Sequence, residues 1–108
     1  MGMTGAPGLS GYGASKGALI GLAKSLALEM ARNRIRVNCV SPGYVRSAMA
    51  NEIQETVGPE QFAAIEAMHP LGLGAADDVA HAIGFLLADT GRWITGSNLV
   101  VDGGYTAR

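Results

Sequence analysis

A small α/β unit is the fold this sequence predicts, and three patterns predict it. Apolar residues recur at threes and fours after residue 14, the alternating stretch "RIRVNCVSPG" follows, and a second helical pattern runs into "SNLVVDGG". Helix, strand, helices, strand is the order of a crossover unit, in which parallel strands carry helices on the faces of their sheet.

Each element has its own justification. Residues 1 to 11, "MGMTGAPGLSG", carry glycines and a proline without any period, and read as a loop. From residue 14 to about 31, Ala18, Leu19, Leu22, Ala23, Leu26, Ala27 and Met30 form one broad apolar helical face. Gly17 and Gly21 weaken such a helix, so their expected use is close approach of another element. In "RIRVNCVSPG", Ile35, Val37 and Cys39 alternate with Arg34, Arg36 and Asn38 before Pro42-Gly43 ends the strand. "ANEIQETVGPEQFAAIEAMHPLGLG" holds two short helices, with Pro59 as the first residue of the second. Asp77 and Asp78 cap a helix whose Val79, Ile83, Phe85, Leu86 and Leu87 cover one side. The last strand, "SNLVVDGG", closes on paired glycines. With two strands only, the sheet keeps an open edge that something should cover, so completion by association is expected.

Bulk properties narrow the function. The 108 residues make one domain at most. Eight Lys plus Arg against nine Asp plus Glu leave a net charge of −1, with no basic stripe for nucleic acid or anionic lipid. The lone Cys39 can build neither an intrachain disulfide nor a metal cage and reads as a small core hydrophobe, which fits a reducing, cytoplasmic setting. No apolar run is long enough for a membrane helix. His69 lies before Pro70 in a loop and, like His81, is given no catalytic role; Trp93 is expected to pack against the body of the fold.

The chemistry concentrates at Tyr12 and Lys16. Residues four apart share a helix face, so the two side chains can meet in one site. A free tyrosine titrates near pH ~10 and is a poor acid or base at neutrality, but a neighbouring ammonium favours the phenolate. Spacing alone is weak, because most tyrosines at helix starts pack their rings and most surface lysines are solvated.

The surrounding residues add to the spacing. "YGASKGAL" resembles the Tyr-x-x-x-Lys motif of the classical short-chain dehydrogenase/reductase family. "RIRVNCVSPGYVRSAM" resembles that family's strand, Pro-Gly turn and cofactor loop, "HPLGLGAADDVAHAIGFLLAD" its penultimate helix, and "WITGSNLVVDGG" its closing strand. In these motifs the sequence is close to 3-oxoacyl-acyl-carrier-protein reductases.

The resemblance implies one partial domain over residues 1–108, the C-terminal part of a Rossmann-like doubly wound parallel sheet. It implies hydride transfer between NAD or NADP and a small-molecule carbonyl or alcohol. Tyr12 would be the acid/base, and Lys16 would tune it and hold the nicotinamide ribose. Pro42, Gly43, Tyr44, Val45 and Ser47 would line the cofactor, with no metal. Residues 48–70 would cover the substrate, with Met49, Ile53, Phe62, Ile65 and Met68 either facing it or packing the lid.

The family's catalytic serine lies further before the tyrosine than this sequence reaches ahead of Tyr12, and Ser10 is too near to replace it. No Gly-rich pyrophosphate turn is present either. An inactive isolated chain is therefore expected, completed by a homo-oligomer or a complementing N-terminal half. The alternative is a non-enzymatic half-domain that works through association.

Overall fold

The structure is a computed structural model that describes residues 10 to 108, with the side chains of Ser10, Tyr12, Met49, Ala50 and Ile53 outside the described residues. Residues 1 to 9 of the expected opening loop also lie outside them. Helix α1 spans Ser10–Met30 and starts four residues earlier than the apolar period indicates. It ends in a 3-10 turn, Ala31–Asn33, and the left-handed Arg34 (φ 60°) reverses the chain.

Strand β1 is Cys39–Pro42, shorter than the alternation predicts. Residues 36 to 38 are engaged differently. Val37 N–H donates to Thr95 Oγ1 (3.1 Å), Asn38 Nδ2 to the Ile94 carbonyl (2.9 Å) and Arg36 Nη1 to the same carbonyl (3.3 Å). Side chains take up most of the bonding there, with Gly96 N–H to the Val37 carbonyl (2.8 Å) as a backbone link, so regular strand pairing starts only at Cys39. Strand β2 (Val45–Arg46), helices α2 (Ala48–Val57) and α3 (Pro59–Ala67), strand β3 (Gly74–Ala75), helix α4 (Ala76–Leu87) and strand β4 (Asn98–Val101) complete the chain. Pro59 does open α3, but α4 begins at Ala76 with Ala75 in the cap position, so Asp77 and Asp78 lie inside its first turn instead of preceding it; Asp78 Oδ2, at the third helical position, reaches back to accept from the Ala75 N–H (2.7 Å).

β1 pairs with β4 in parallel, Cys39 opposite Asn98 through Pro42 opposite Val101. A second parallel pair, β2 with β3, joins Val45 to Gly74 and Arg46 to Ala75. Two-residue strands carry no readable period, so the sequence did not announce this pair. The Cys39 sulfur lies 3.8 Å from the Leu19 carbonyl of α1, whereas Val40 lines a groove with Ile83 and Leu86 of α4. Neighbouring strand residues point to opposite faces, so α1 and α4 cover opposite faces of β1.

Small residues let α1 come close: Ala23 and Ala27 are buried, and a Cβ at Gly96 would sit 3.4 Å from that of Ala27. Gly21 does not serve the close approach expected of it, because its open side meets nothing within 4 Å among the described residues. Trp93 departs from expectation as well. It is 90% exposed, because the turn after α4 presses Gly91 onto the Leu86 backbone and brings Ile94, not Trp93, inward.

Beyond Ala23, Ala27 and Leu86, little apolar surface is fully enclosed. Leu19, Leu22 and Leu28 of α1 and Ile83, Phe85 and Leu87 of α4 are exposed, Leu28 by 83%. The radius of gyration is 15.5 Å, against about 13 Å for a compact domain of ~100 residues. Among the described residues no helix is long and apolar enough to cross a membrane.

Surfaces of this size seek cover. Sedimentation of the purified 108-residue chain is expected to show dimers or larger species; a single monomer of 11.1 kDa across the concentration range would contradict this.

Candidate active site

Tyr12 and Lys16 stand one turn apart near the N-terminal end of α1; the Lys16 side chain is exposed, and that of Tyr12 lies outside the described residues. Where this end points follows from the contacts of α1. Ala27 meets Gly96, whose N–H donates to the Val37 carbonyl (2.8 Å), while Leu19 meets Cys39. As the chain advances from Val37 to Cys39, the helix retreats from Ala27 to Leu19, so α1 runs antiparallel to β1. At ~1.5 Å per helical residue, Lys16 and Tyr12 lie about 4.5 and 10 Å past Leu19. At ~3.3 Å per strand residue, Pro42 lies about 10 Å past Cys39, in the same direction. The pair thus shares an end of the molecule with the loop that follows β1.

That loop is held along its whole backbone. Gly43 N–H donates to the Val101 carbonyl (2.9 Å), which extends the ladder one residue past Pro42. Tyr44 N–H donates to His69 Nε2 (3.3 Å), and the Tyr44 carbonyl accepts from Gly74 N–H (3.1 Å). Val45 enters β2 opposite Gly74, and the Ser47 carbonyl accepts from Asn51 N–H (3.1 Å) in the first turn of α2. Gly43 has no room for a side chain. A Cβ there would fall 2.9 Å from both Cα and Cβ of Asp102 and 3.1 Å from His69 Nε2. Pro42, Gly43, Tyr44, Val45 and Ser47 are therefore gathered on one segment at the carboxyl ends of the strands, the place where open α/β sheets bind ligands.

Of the lid residues named from sequence, Phe62 and Ile65 are half-buried and Met68 is exposed, while Met49 and Ile53 have side chains outside the described residues. Arg46 and Glu66 link β2 to α3 by an exposed pair at 3.5 Å, a contact worth little in water. Cys39 is half-buried between α1 and β1, a packing position.

Sequence reasoning missed His69. It does lie in a loop, between α3 and β3, but it is only 4% exposed and stacks on Tyr105 (centroids 4.8 Å, 26°) with Tyr44 edge-on (5.6 Å, 87°). A histidine beside a proline gives no periodic signal; its aromatic partners come from the loop after β1 and from the residues after β4.

Asp102 completes this cluster. Its carboxylate accepts from Gly104 N–H (3.0 Å), Thr106 N–H (3.0 Å) and Thr106 Oγ1 (2.6 Å). Burial pushes the carboxyl up, but those three hydrogen bonds, with the proximity of His69 when charged, together hold it below the ordinary carboxylate value. Among the described residues no three His, Cys, Asp or Glu side chains gather as a metal site would require.

Two measurements check this geometry. Gly43→Ala is expected to lower stability by about 1–3 kcal/mol in urea, the usual cost of overpacking. Gly84→Ala, in α4 with nothing within 4 Å of its open side, should raise it by roughly 0.5–1 kcal/mol. Asp102 has its folded pKa depressed, so its stabilisation is complete above the unfolded value of about 3.9 and is lost as the pH falls through the folded value. Asp102→Asn should lower the urea midpoint at neutral pH and flatten its fall in acid; an unchanged profile would remove Asp102 from the account.

Comparison with known proteins agrees with this architecture. A family model described as "Enoyl-(Acyl carrier protein) reductase" matches residues 1–106. The 3-oxoacyl-acyl-carrier-protein reductase of Rickettsia conorii is 44% identical over 105 residues, 96% of this chain and 42% of its own length. The solved 4-hydroxyisoleucine dehydrogenase complexed with NADH superposes with a TM-score of 0.90 at 39% identity, over 99% of this chain and 44% of that one. The structure of ElxO with NADP bound gives 0.85 at 35% identity, over 99% and 43%. The chain thus spans about two fifths of the length of the curated relatives it matches. With its parallel strands, flanking helices and this breadth of similarity, the chain belongs to the short-chain dehydrogenase/reductase family.

Proposed function

We propose that these residues form the proton-transfer pair and the nicotinamide-facing loop of an NAD(P)-dependent oxidoreductase that interconverts a small-molecule carbonyl and alcohol. The observation that carries the reading is the shared placement of the Tyr12/Lys16 end of α1 and the Pro42–Ser47 segment at the carboxyl ends of β1 and β4. The relatives point the same way, one named for reducing an oxoacyl group, one a dehydrogenase seen with NADH and one structure holding NADP.

The donor set fits the nicotinamide end of such a cofactor: an ammonium at Lys16, a hydroxyl at Ser47, and a tightly held backbone at Pro42, Gly43, Tyr44 and Val45. When bound, the nicotinamide supplies or accepts the hydride. The protein's own part is the proton. Tyr12 gives it to the carbonyl oxygen in reduction and takes it from the hydroxyl in oxidation, acting as general acid or base. Lys16 favours the phenolate of Tyr12 through its charge and holds the ribose hydroxyls. The lid of α2 and α3 encloses the substrate, and the lone Cys39 fits a reducing cytoplasm.

A second reading is favoured by the exposed apolar faces of α1 and α4: a non-enzymatic half-domain that works by associating with a second copy or a complementing chain. Turnover separates the two.

In the native protein, assayed on ketones and secondary alcohols with NAD(H) and NADP(H), Tyr12→Phe should lower kcat by about 10²–10⁴-fold. Lys16→Met should lower it as well and move upward the basic limb of the reduction profile and the acidic limb of the oxidation profile. A Tyr12→Phe protein with undiminished kcat would sink the assignment, and a native protein without turnover would favour the association reading. The 108 residues alone, lacking a Gly-rich pyrophosphate turn, are expected to give no measurable turnover.

A further inference from the structure

The His69 imidazole is the point where three separate stretches of chain meet. Its Nδ1 lies 2.8 Å from the Ile65 carbonyl in α3, and its Nε2 lies 3.3 Å from Tyr44 N in the loop after β1. Its ring stacks on Tyr105 from the segment after β4.

The two partners settle which nitrogen carries the proton. A carbonyl oxygen only accepts and a backbone N–H only donates. Nδ1 must therefore be protonated and Nε2 must offer its lone pair. A neutral imidazole in that single tautomer satisfies both contacts, and the other tautomer satisfies neither.

The surroundings leave the ring little freedom. His69 N–H donates to the Glu66 carbonyl (3.1 Å), and the His69 carbonyl accepts from Gly72 N–H (2.8 Å). Leu71 N–H donates to the Gly103 carbonyl (3.0 Å), and Arg108 Nη2 to the Met68 carbonyl (2.8 Å), so the residues on either side are tied to the C-terminal segment. A Cβ at Gly104 would lie 3.1 Å from Pro70 Cγ.

We infer that His69 is a positioning residue: its Nδ1–H grips the lid helix α3 while its Nε2 holds the Tyr44 N–H, so that lid and cofactor loop keep one relative placement. The link to a cofactor rests on the proposed function above; the clamp itself does not. Without the acceptor, the Tyr44 N–H would lose its bond to His69 in a part-buried position, and the tie between this loop and the residues after α3 would go with it, while Gly43 N–H, the Tyr44 carbonyl and the β2–β3 pair still hold the loop to the sheet.

The test has an arm for each. Long-range ¹H–¹⁵N correlation on the unsubstituted chain reads the tautomer; protonated Nδ1 with bare Nε2 is expected, and the reverse assignment overturns the inference. Amide exchange then compares His69→Gln, whose side-chain oxygen can replace the Nε2 acceptor, with His69→Phe, which keeps a stacking ring but no acceptor. Exchange at Tyr44 should quicken at least ~10-fold in His69→Phe and return toward the original rate in His69→Gln, with α4 amides unchanged. Equal protection in all three, or equal loss in both variants together with α4, reduces His69 to packing and overturns it.

In the native protein, NADH and NADPH titrations read the cofactor link. Weakened binding in His69→Phe that is recovered in His69→Gln supports it, and equal affinity in all forms overturns it. Absence of binding by the unsubstituted protein would instead count against the proposed function, while the exchange result still decides the clamp.

Discussion

Everything that places the site depends on the parallel pairing of β1 with β4. Cys39–Pro42 and Asn98–Val101 are far apart in the chain, and bringing them together costs loop-closure entropy that only the ladder and its flanking contacts repay. Once Pro42 stands opposite Val101, the residues that follow each strand become neighbours. Gly43 then lies against Asp102, and Tyr44 and Tyr105 converge on His69. Without this register the candidate cofactor loop would have no wall behind it.

The wall is built from backbone more than from side chains. Gly43 is needed because Asp102 approaches too closely for a Cβ, and Asp102 in turn spends its carboxylate on the turn formed by Gly103 through Thr106. Both Gly103 (φ 60°) and Gly104 (φ 93°) occupy left-handed conformations that turn their open sides toward residues 70 to 72, and the Gly103 carbonyl accepts from Leu71 N–H. The C-terminal "DGGYT" is therefore a structural partner of the loop after β1, and His69 joins the two to α3.

The same structure shows how little of the protein is self-contained. α1 contributes two buried alanines and leaves Leu19, Leu22 and Leu28 exposed; α4 buries Leu86 and leaves Leu87 77% exposed. Such faces are those of helices that normally lie between a sheet and further protein, and the extended radius of gyration agrees. A family relationship in which this chain spans about two fifths of its curated relatives gives those faces a physical reason.

Much of the fold was legible in the order of residues. The apolar period of α1, Pro59 at the start of α3, Asp78 at the start of α4 and the run "NLVV" in β4 are local signals, and local backbone preferences suffice to express them. The spacing of Tyr12 and Lys16 within one helical turn is of the same kind. What only the tertiary structure decided are the features whose partners lie far along the chain. These include the shortening of β1 by side chains that bond residues 94 and 95, the β2–β3 pair, the outward turn of Trp93 and the burial of His69. No period in a sequence encodes a contact between residues 44, 69 and 105. It arises because two parallel strands bring three loops to one end of the sheet, where a single imidazole has a donor on one side and an acceptor on the other.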